Sequence, residues 1–181
     1  VCIDPENYYE YVDAFETEGT DLSLLYDVIL CAGLRPEEAT GLTWDKLIET
    51  NLGYEFVVKQ ACKKVAVYDD NMNIIGYKKV DSSLKTDDSY RHVPVPLRLV
   101  NQLLKHKERQ KQRFKDSVKM HKKGKRWSEN GYIFLSRTFM PYVSESLAKP
   151  LREICDKYGL ERYAPYALRR SYATWCKFKG I

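Results

Sequence analysis

The apolar residues of this chain change their period twice, and that change limits the fold more than any other feature. Between Thr20 and Gly33 they recur at helical spacing, with Leu22, Leu25, Ile29 and Ala32 on one side of a helix. Thr20 suits the amino-terminal cap of that helix. Gly33 suits its stop, because glycine accepts the left-handed conformation that ends a helix. From Tyr54 to Val95 the helical spacing disappears. Tyr54–Val58, Lys63–Tyr68, Ile74–Lys79 and Arg91–Val95 have strand-like composition and are separated by Asp, Asn and Gly turn signals. Helical spacing returns at Leu97 with Leu99, Leu103 and Leu104 and continues into a basic stretch. The pattern predicts an α+β fold, mainly α-helical, with a small antiparallel sheet of about three strands arranged as a meander.

The remaining elements follow from local signals. Residues 5–16 read as a short amphipathic helix with an acidic first turn. Pro36 suits the first turn of a third helix, with Glu37 and Glu38 where the helix dipole favours acids; it runs to about Leu42, and Trp44 packs just beyond. Asp69-Asp70-Asn71 forms a tight connection, and Pro94 and Pro96 confine the last strand to an edge or end it. Gly124 and Gly131 interrupt the helical pattern before the short apolar run Tyr132–Leu135. A helix covers about Ser144–Tyr158, and a last one starts near Pro165 with Leu168, Ser171, Tyr172 and Trp175 as its core stripe. The 181 residues contain no internal repeat or low-complexity linker and read as one domain.

Composition excludes several classes. With 44% apolar and 30% charged residues the chain is an ordinary globular one. Its apolar runs are too short to span a bilayer, and no basic-then-apolar leader opens it. The five cysteines are odd in number and scattered, against a disulfide framework or a zinc site and in favour of a reducing cytoplasm. The net charge of +5 is unevenly spread. Lys105–Arg126 holds eleven Lys or Arg against two acidic residues, a local +9, whereas residues 1–34 hold eight Asp or Glu and no Lys or Arg. One part should attract a polyanion and another avoid it.

Three short stretches carry residues suited to a phosphodiester. In residues 32–44, AGLRPEEATGLTW, Arg35 and Glu38 are three apart, so in a helical turn the carboxylate can orient the guanidinium. In residues 84–96, LKTDDSYRHVPVP, Lys85 precedes a turn of Asp and Ser. A lysine at a hairpin tip reaches into a groove and, charged at neutral pH, can protonate a leaving oxygen. Lys78 and Lys79 meet the same requirement by position. In residues 166–174, YALRRSYAT, Tyr166 and Arg169 share a helix face, and Arg170 lies off the core stripe, open to solvent or phosphate. Arginine grips phosphate with a planar fork of donors. Arg35 and Arg169, brought together by folding, would clamp the non-bridging oxygens of one phosphodiester. Lys78, Lys79, Arg91, Lys122, Lys123 and Arg170 are further candidates for contacts with a DNA backbone.

These boxes, in this order and with strands between helices, resemble the tyrosine recombinase family, the integrases of temperate phages and conjugative transposons, over essentially the whole chain. The first is similar to the family's first-arginine box, with Arg35 as the arginine and Glu38 as its accompanying acid. The second is similar to the hairpin box that carries the catalytic lysine, so the resemblance selects Lys85 over Lys78 and Lys79. The third is similar to the second-arginine box, with Arg169 as the arginine. Tyr166 stands where the family has histidine. A phenol can donate a hydrogen bond to a phosphate oxygen but is a poor proton shuttle at neutral pH.

The resemblance implies the tyrosine-recombinase catalytic-domain fold and site-specific strand cleavage and rejoining through a 3′-phosphotyrosyl intermediate. Arg35 and Arg169 would bind the scissile phosphate and Lys85 would protonate the leaving 5′-oxygen, with no metal or other cofactor and no small-molecule substrate. The partner would be double-stranded DNA, met as a multimer on paired sites in the cytoplasm of a bacterial, phage or mobile-element host, with no membrane involved. The family's nucleophilic tyrosine lies beyond the second arginine, after a Gly-His box, and a DNA-clamping domain precedes the catalytic one. Residues 1–181 therefore read as a single catalytic domain, a fragment without either and inactive in cleavage by itself. Rival readings are a degenerate DNA-binding module without catalysis, a topoisomerase-like nicking-closing enzyme, and an RNA-binding or protein-interaction domain centred on residues 105–126.

Overall fold

Thr20 starts the helix around which the other elements are arranged. Its hydroxyl accepts from the Ser23 N–H at 3.1 Å, and Ser23 Oγ accepts from the Thr20 N–H at 2.9 Å, a reciprocal capping box. In this computed structural model, which describes residues 1–58, 60–70, 72–83 and 90–181 (backbone only for 60–64, 68 and 74–83), α1 (Tyr8–Glu18) precedes α2 (Asp21–Ala32). Leu24, Leu25, Val28, Ile29 and Leu30 of α2 are all buried, as expected of a helix surrounded on every side. Each such side chain stabilises the fold by about 1.5–3 kcal/mol relative to exposure. Around α2 pack α1, α3 (Pro36–Thr40), β5 (Arg91–Val95), α4 (Leu97–Asp116), α6 (Ala148–Lys157) and α7 (Pro165–Lys179). Asp27 is the charged exception on α2. It is fully buried and accepts from both terminal nitrogens of Arg98, each at 2.8 Å.

The sheet differs from the expected meander in membership. β1 (Leu47–Thr50), β2 (Gly53–Val58) and β5 form an antiparallel three-stranded sheet in the order β1-β2-β5, with Leu47 opposite Phe56 and Phe56 opposite Val93. β3 (Gln60–Tyr68) and β4 (Ile74–Ser83) form a separate two-stranded sheet. The reason is edge occupancy. β1 covers one side of β2 and β5 the other, so neither hairpin strand joins. At four residues, β1 is too short for its period to register in the sequence. Within the described residues β5 pairs only with β2, the edge position that Pro94 requires. Asp69 closes the turn between β3 and β4, its carboxylate accepting from the Asn73 N–H at 2.8 Å. Asn71, expected in that turn, lies outside the described residues.

The helices depart from expectation at their ends and stripes. Pro5–Asn7 is a 3-10 turn ahead of α1, α3 ends at Thr40 rather than Leu42, and a 3-10 turn at Ser144–Ser146 precedes α6. On α4 the buried stripe is Leu99, Leu103, His106 and Gln110, and Leu104 is off it and exposed. Gln110 earns its buried place with hydrogen bonds. Its Oε1 accepts from the indoles of Trp44 (2.7 Å) and Trp127 (3.0 Å), and its Nε2 donates to the Ile133 carbonyl at 2.9 Å. On α7 Leu168 and Ser171 are buried, but Tyr172 and Trp175 are only half-buried. Trp175 stacks on Tyr8 with ring centroids 4.8 Å apart. Among the described residues, no helix is long and apolar enough to cross a membrane.

Candidate phosphate-binding site

Arginines from three separate elements meet on one buried carboxylate. The local sequence explains why. Gly33 ends α2 with φ +60°, and a Cβ there would sit 2.3 Å from Cδ1 of Tyr172, so this position needs glycine for both its backbone and its neighbour. Arg35 is extended (φ −67°, ψ 147°) and Pro36 opens α3. Glu38, at the third helical position, reaches back to accept the Arg35 N–H at 2.8 Å, which satisfies one of the free donors of the helix start. The same carboxylate accepts Nη1 of Arg35 at 2.7 Å, and Nη1 and Nη2 of Arg91 at 3.1 and 2.8 Å. Arg169, from α7, brings Nη1 to 3.7 Å of it and donates the same nitrogen to the Gly33 carbonyl at 2.7 Å. Glu38 is 2% exposed, whereas the side chains of Arg35, Arg91 and Arg169 are 42%, 28% and 29% exposed.

Among the described residues, three guanidiniums around one carboxylate leave an excess of two positive charges. Burial pushes the Glu38 carboxyl up. The Arg91 hydrogen bonds, the Arg35 N–H and the Arg35 guanidinium outweigh it and hold the carboxyl below the usual range. The hydrogen bond to Glu38 strengthens the charged form of Arg35. Arg169 shifts the other way: burial weakens its charged form, and Arg35 and Arg91 repel it. A guanidinium does not lose its proton, so Arg169 carries the least compensated charge of the three. An anion placed between Arg35 and Arg169 would relieve that repulsion.

Tyr166 lies near enough to Arg35 for its hydroxyl to favour the charged guanidinium. Arg170 is exposed, its guanidinium 5.3 Å from the centre of the Tyr166 ring. The structure thus brings together Arg35, Glu38, Tyr166 and Arg169, read as a group from the sequence. It adds Arg91 to them, whose guanidinium lies on Glu38 although the sequence suggested only a DNA-backbone contact. The one signal for this was an arginine inside the hairpin box, at the start of the strand Arg91–Val95. Lys85 lies outside the described residues, and of Lys78 and Lys79 only the backbone is described, opposite Val65 and Lys64.

Lys122 and Lys123 are not brought to this site. α4 runs antiparallel to α2, with Arg98 on Asp27 and Arg113 on Asp21. The basic end of α4 and α5 (Val118–Lys122) therefore lie at the end of α2 opposite Gly33. A 12-residue helix separates the two places, about 18 Å. A cavity of about 760 Å³ also lies at that far end, lined by Asp21, Arg113, Phe139 and Tyr142. Among the described residues the three arginine side chains of the cluster stay partly exposed.

Known proteins share this arrangement of elements. The chain matches the Tn1549 transposon integrase, solved in complex with transposon right end DNA, with a TM-score of 0.69 and 16% identity, over 100% of this chain and 54% of that one. It matches XerH site-specific recombinase bound to difH substrate with a TM-score of 0.64 and 18% identity, over 98% of this chain and 43% of that one. A curated relative, the tyrosine recombinase XerC-like protein of Caldanaerobacter subterraneus subsp. tengcongensis, is 28% identical over 167 residues, 91% of this chain and 40% of the relative. The chain thus spans about half the length, or less, of these proteins. The phage integrase family profile covers residues 2–181, and the chain belongs to that family.

Proposed function

We propose that the protein carrying this chain cuts and rejoins duplex DNA at specific sites through a 3′-phosphotyrosyl intermediate. Arg35 and Arg169 bind the non-bridging oxygens of the scissile phosphate and stabilise the charge that builds on its five-coordinate transition state. Tyr166 adds one hydrogen bond to the same phosphate. A tyrosine beyond this chain attacks phosphorus, the bond to the 5′-oxygen breaks, and Lys85 gives that oxygen its proton. The phosphotyrosyl bond conserves the energy needed to join another strand. Double-stranded DNA is the partner, held by a multimer on paired sites in the cytoplasm, and the DNA-bound integrase and XerH relatives support this reading. The observation that carries it is the excess of positive charge that partly exposed arginines of the two sequence boxes keep beside Glu38 among the described residues.

In the full-length protein, Arg35→Ala or Arg169→Ala should abolish cleavage of a nicked suicide duplex while duplex affinity falls only modestly, because transition-state charge is felt in the chemical step. Lysine at either position should rescue poorly, since a point charge lacks the fork. Near-normal cleavage by both Ala variants refutes the assignment. A second reading, a DNA-binding module without catalysis, is not favoured by the DNA-bound recombinases that share the fold. Absence of any covalent protein–DNA adduct in the full-length parent would select it.

A further inference from the structure

We infer that Arg91 is a positioning residue for phosphate binding: it occupies both oxygens of Glu38, so that Arg35 and Arg169 keep donors turned toward the substrate. This rests on the phosphate-clamp reading above. Glu38 makes a two-pronged contact with Arg91, at 3.1 and 2.8 Å, but takes only one nitrogen of the Arg35 fork and leaves Arg169 at 3.7 Å. Of the three side chains that of Arg35 is the most exposed, 42% against 28% for Arg91 and 29% for Arg169. Arg91 is also fixed at its base. It is the first residue of β5, paired with Val58 of β2, so the sheet sets the direction of the fork.

Removing Arg91 would free lone pairs on a carboxylate that is 2% exposed. A buried carboxylate claims whatever donors are within reach. Arg35 would turn into the two-pronged contact that Arg91 vacates, and Arg169 would close its 3.7 Å gap. Both movements withdraw donors from the surface, and the excess of positive charge falls from two to one. Of the groups that hold Glu38 ionised, the Arg91 hydrogen bonds act most strongly, which agrees with its place as the main counter-ion.

The test compares Arg91→Met, Glu38→Gln and the double variant in the full-length protein. Single-turnover cleavage of a nicked suicide duplex is measured beside duplex affinity and thermal melting. Arg91→Met should slow cleavage by about 10- to 100-fold, the worth of a charged hydrogen-bonded pair. Affinity should stay within about twofold, since this is one charge among many that the DNA meets. With Glu38→Gln already present, adding Arg91→Met should change the rate by less than about threefold, because the two residues act through one another. Arg91→Lys should recover only part of the rate, for want of the fork. Equal losses in both backgrounds would mean that Arg91 touches DNA directly, and lower melting with a normal rate would mean that it only supports the fold; either overturns the inference. If Glu38→Gln does not fold, Arg91→Lys decides, and full activity with lysine overturns it. Arg35→Ala is the control for the underlying reading. Cleavage by Arg35→Ala at the parent rate refutes the clamp itself, whereas an inactive Arg35→Ala beside a normal Arg91→Met refutes only the role of Arg91.

Discussion

Gly33→Ala is the substitution for which the structure predicts the largest effect from a single methyl group. Two separate costs arise. An L-residue at φ +60° pays about 1–2 kcal/mol for the left-handed conformation. The new Cβ would also lie 2.3 Å from Cδ1 and 2.8 Å from Cε1 of Tyr172, so the ring must move, at about 1–3 kcal/mol for an overpacked site. Together they come to about 2–5 kcal/mol, or a fall of roughly 5–15 °C in melting temperature for a domain of this size. The double-mutant cycle with Tyr172→Ala separates the two. Without the ring, Gly33→Ala should cost only about 1–2 kcal/mol, leaving about 1–3 kcal/mol of coupling. Urea unfolding of the 181-residue chain, followed by circular dichroism, measures all four variants. A Gly33→Ala penalty that is the same with and without Tyr172 would refute the steric part, and a penalty below about 0.5 kcal/mol would refute both.

Two further expectations concern the site. A duplex with a 5′-bridging sulfur should restore cleavage to Lys85→Ala in the full-length protein, because a thiolate leaves without a proton, but not to Arg35→Ala, whose defect is lost charge stabilisation; equal rescue of both, or of neither, would mean that the roles are wrongly divided. Because the Glu38 carboxyl is held below its ordinary range, its contribution to stability is complete above about pH 4.3 and is lost as pH falls through the lower folded value. Glu38→Gln should therefore be less stable at pH 7 yet lose less stability than the parent between pH 5 and pH 3, by at most about 1.4 kcal/mol per pH unit for the one proton involved; parallel urea-midpoint curves for the two proteins over that range would sink the idea.

The order of elements was legible because each end carries its own chemistry. Thr20 and Gly33 bracket α2 as their residue types require, and Pro165 starts α7. Strand pairing was not legible to the same degree. Nothing local in Leu47–Thr50 tells β1 that it will take the edge of β2 that a meander would give to β3. Tertiary competition for that edge decides it, and a four-residue strand has no pattern to advertise. Leu104 misled for a related reason. Periodicity marks apolar residues as core, but on α4 the core positions are filled by His106 and Gln110, whose polar atoms find partners that only the folded chain supplies. At the site, the pair Arg35–Glu38 was readable from a spacing of three. Arg91 as a partner of Glu38 was not, because that contact joins residues far apart in the chain through the docking of β5 beside α3.

Glu38 also links the assembly of the domain to the chemistry of its surface. Arg35, Arg91 and Arg169 come from a loop, a strand and a helix, and without a shared anion their mutual repulsion would oppose the docking that brings them together. One carboxylate removes enough of that repulsion for the fold to close. A second carboxylate would cut that excess to one and weaken the attraction for a phosphodiester. With a single one, the folded surface keeps an excess of two charges, and the arginine that Glu38 holds least closely, Arg169, is tied instead to the Gly33 carbonyl at 2.7 Å. That carbonyl is placed by the same glycine whose left-handed turn ends α2 and whose missing side chain admits Tyr172. On the proposed reading, phosphate binding and the α2–α7 contact therefore meet at one point of the backbone, so a change at Gly33 should move both, whereas a change at the basic end of α4 should leave the α2–α7 contact as it is.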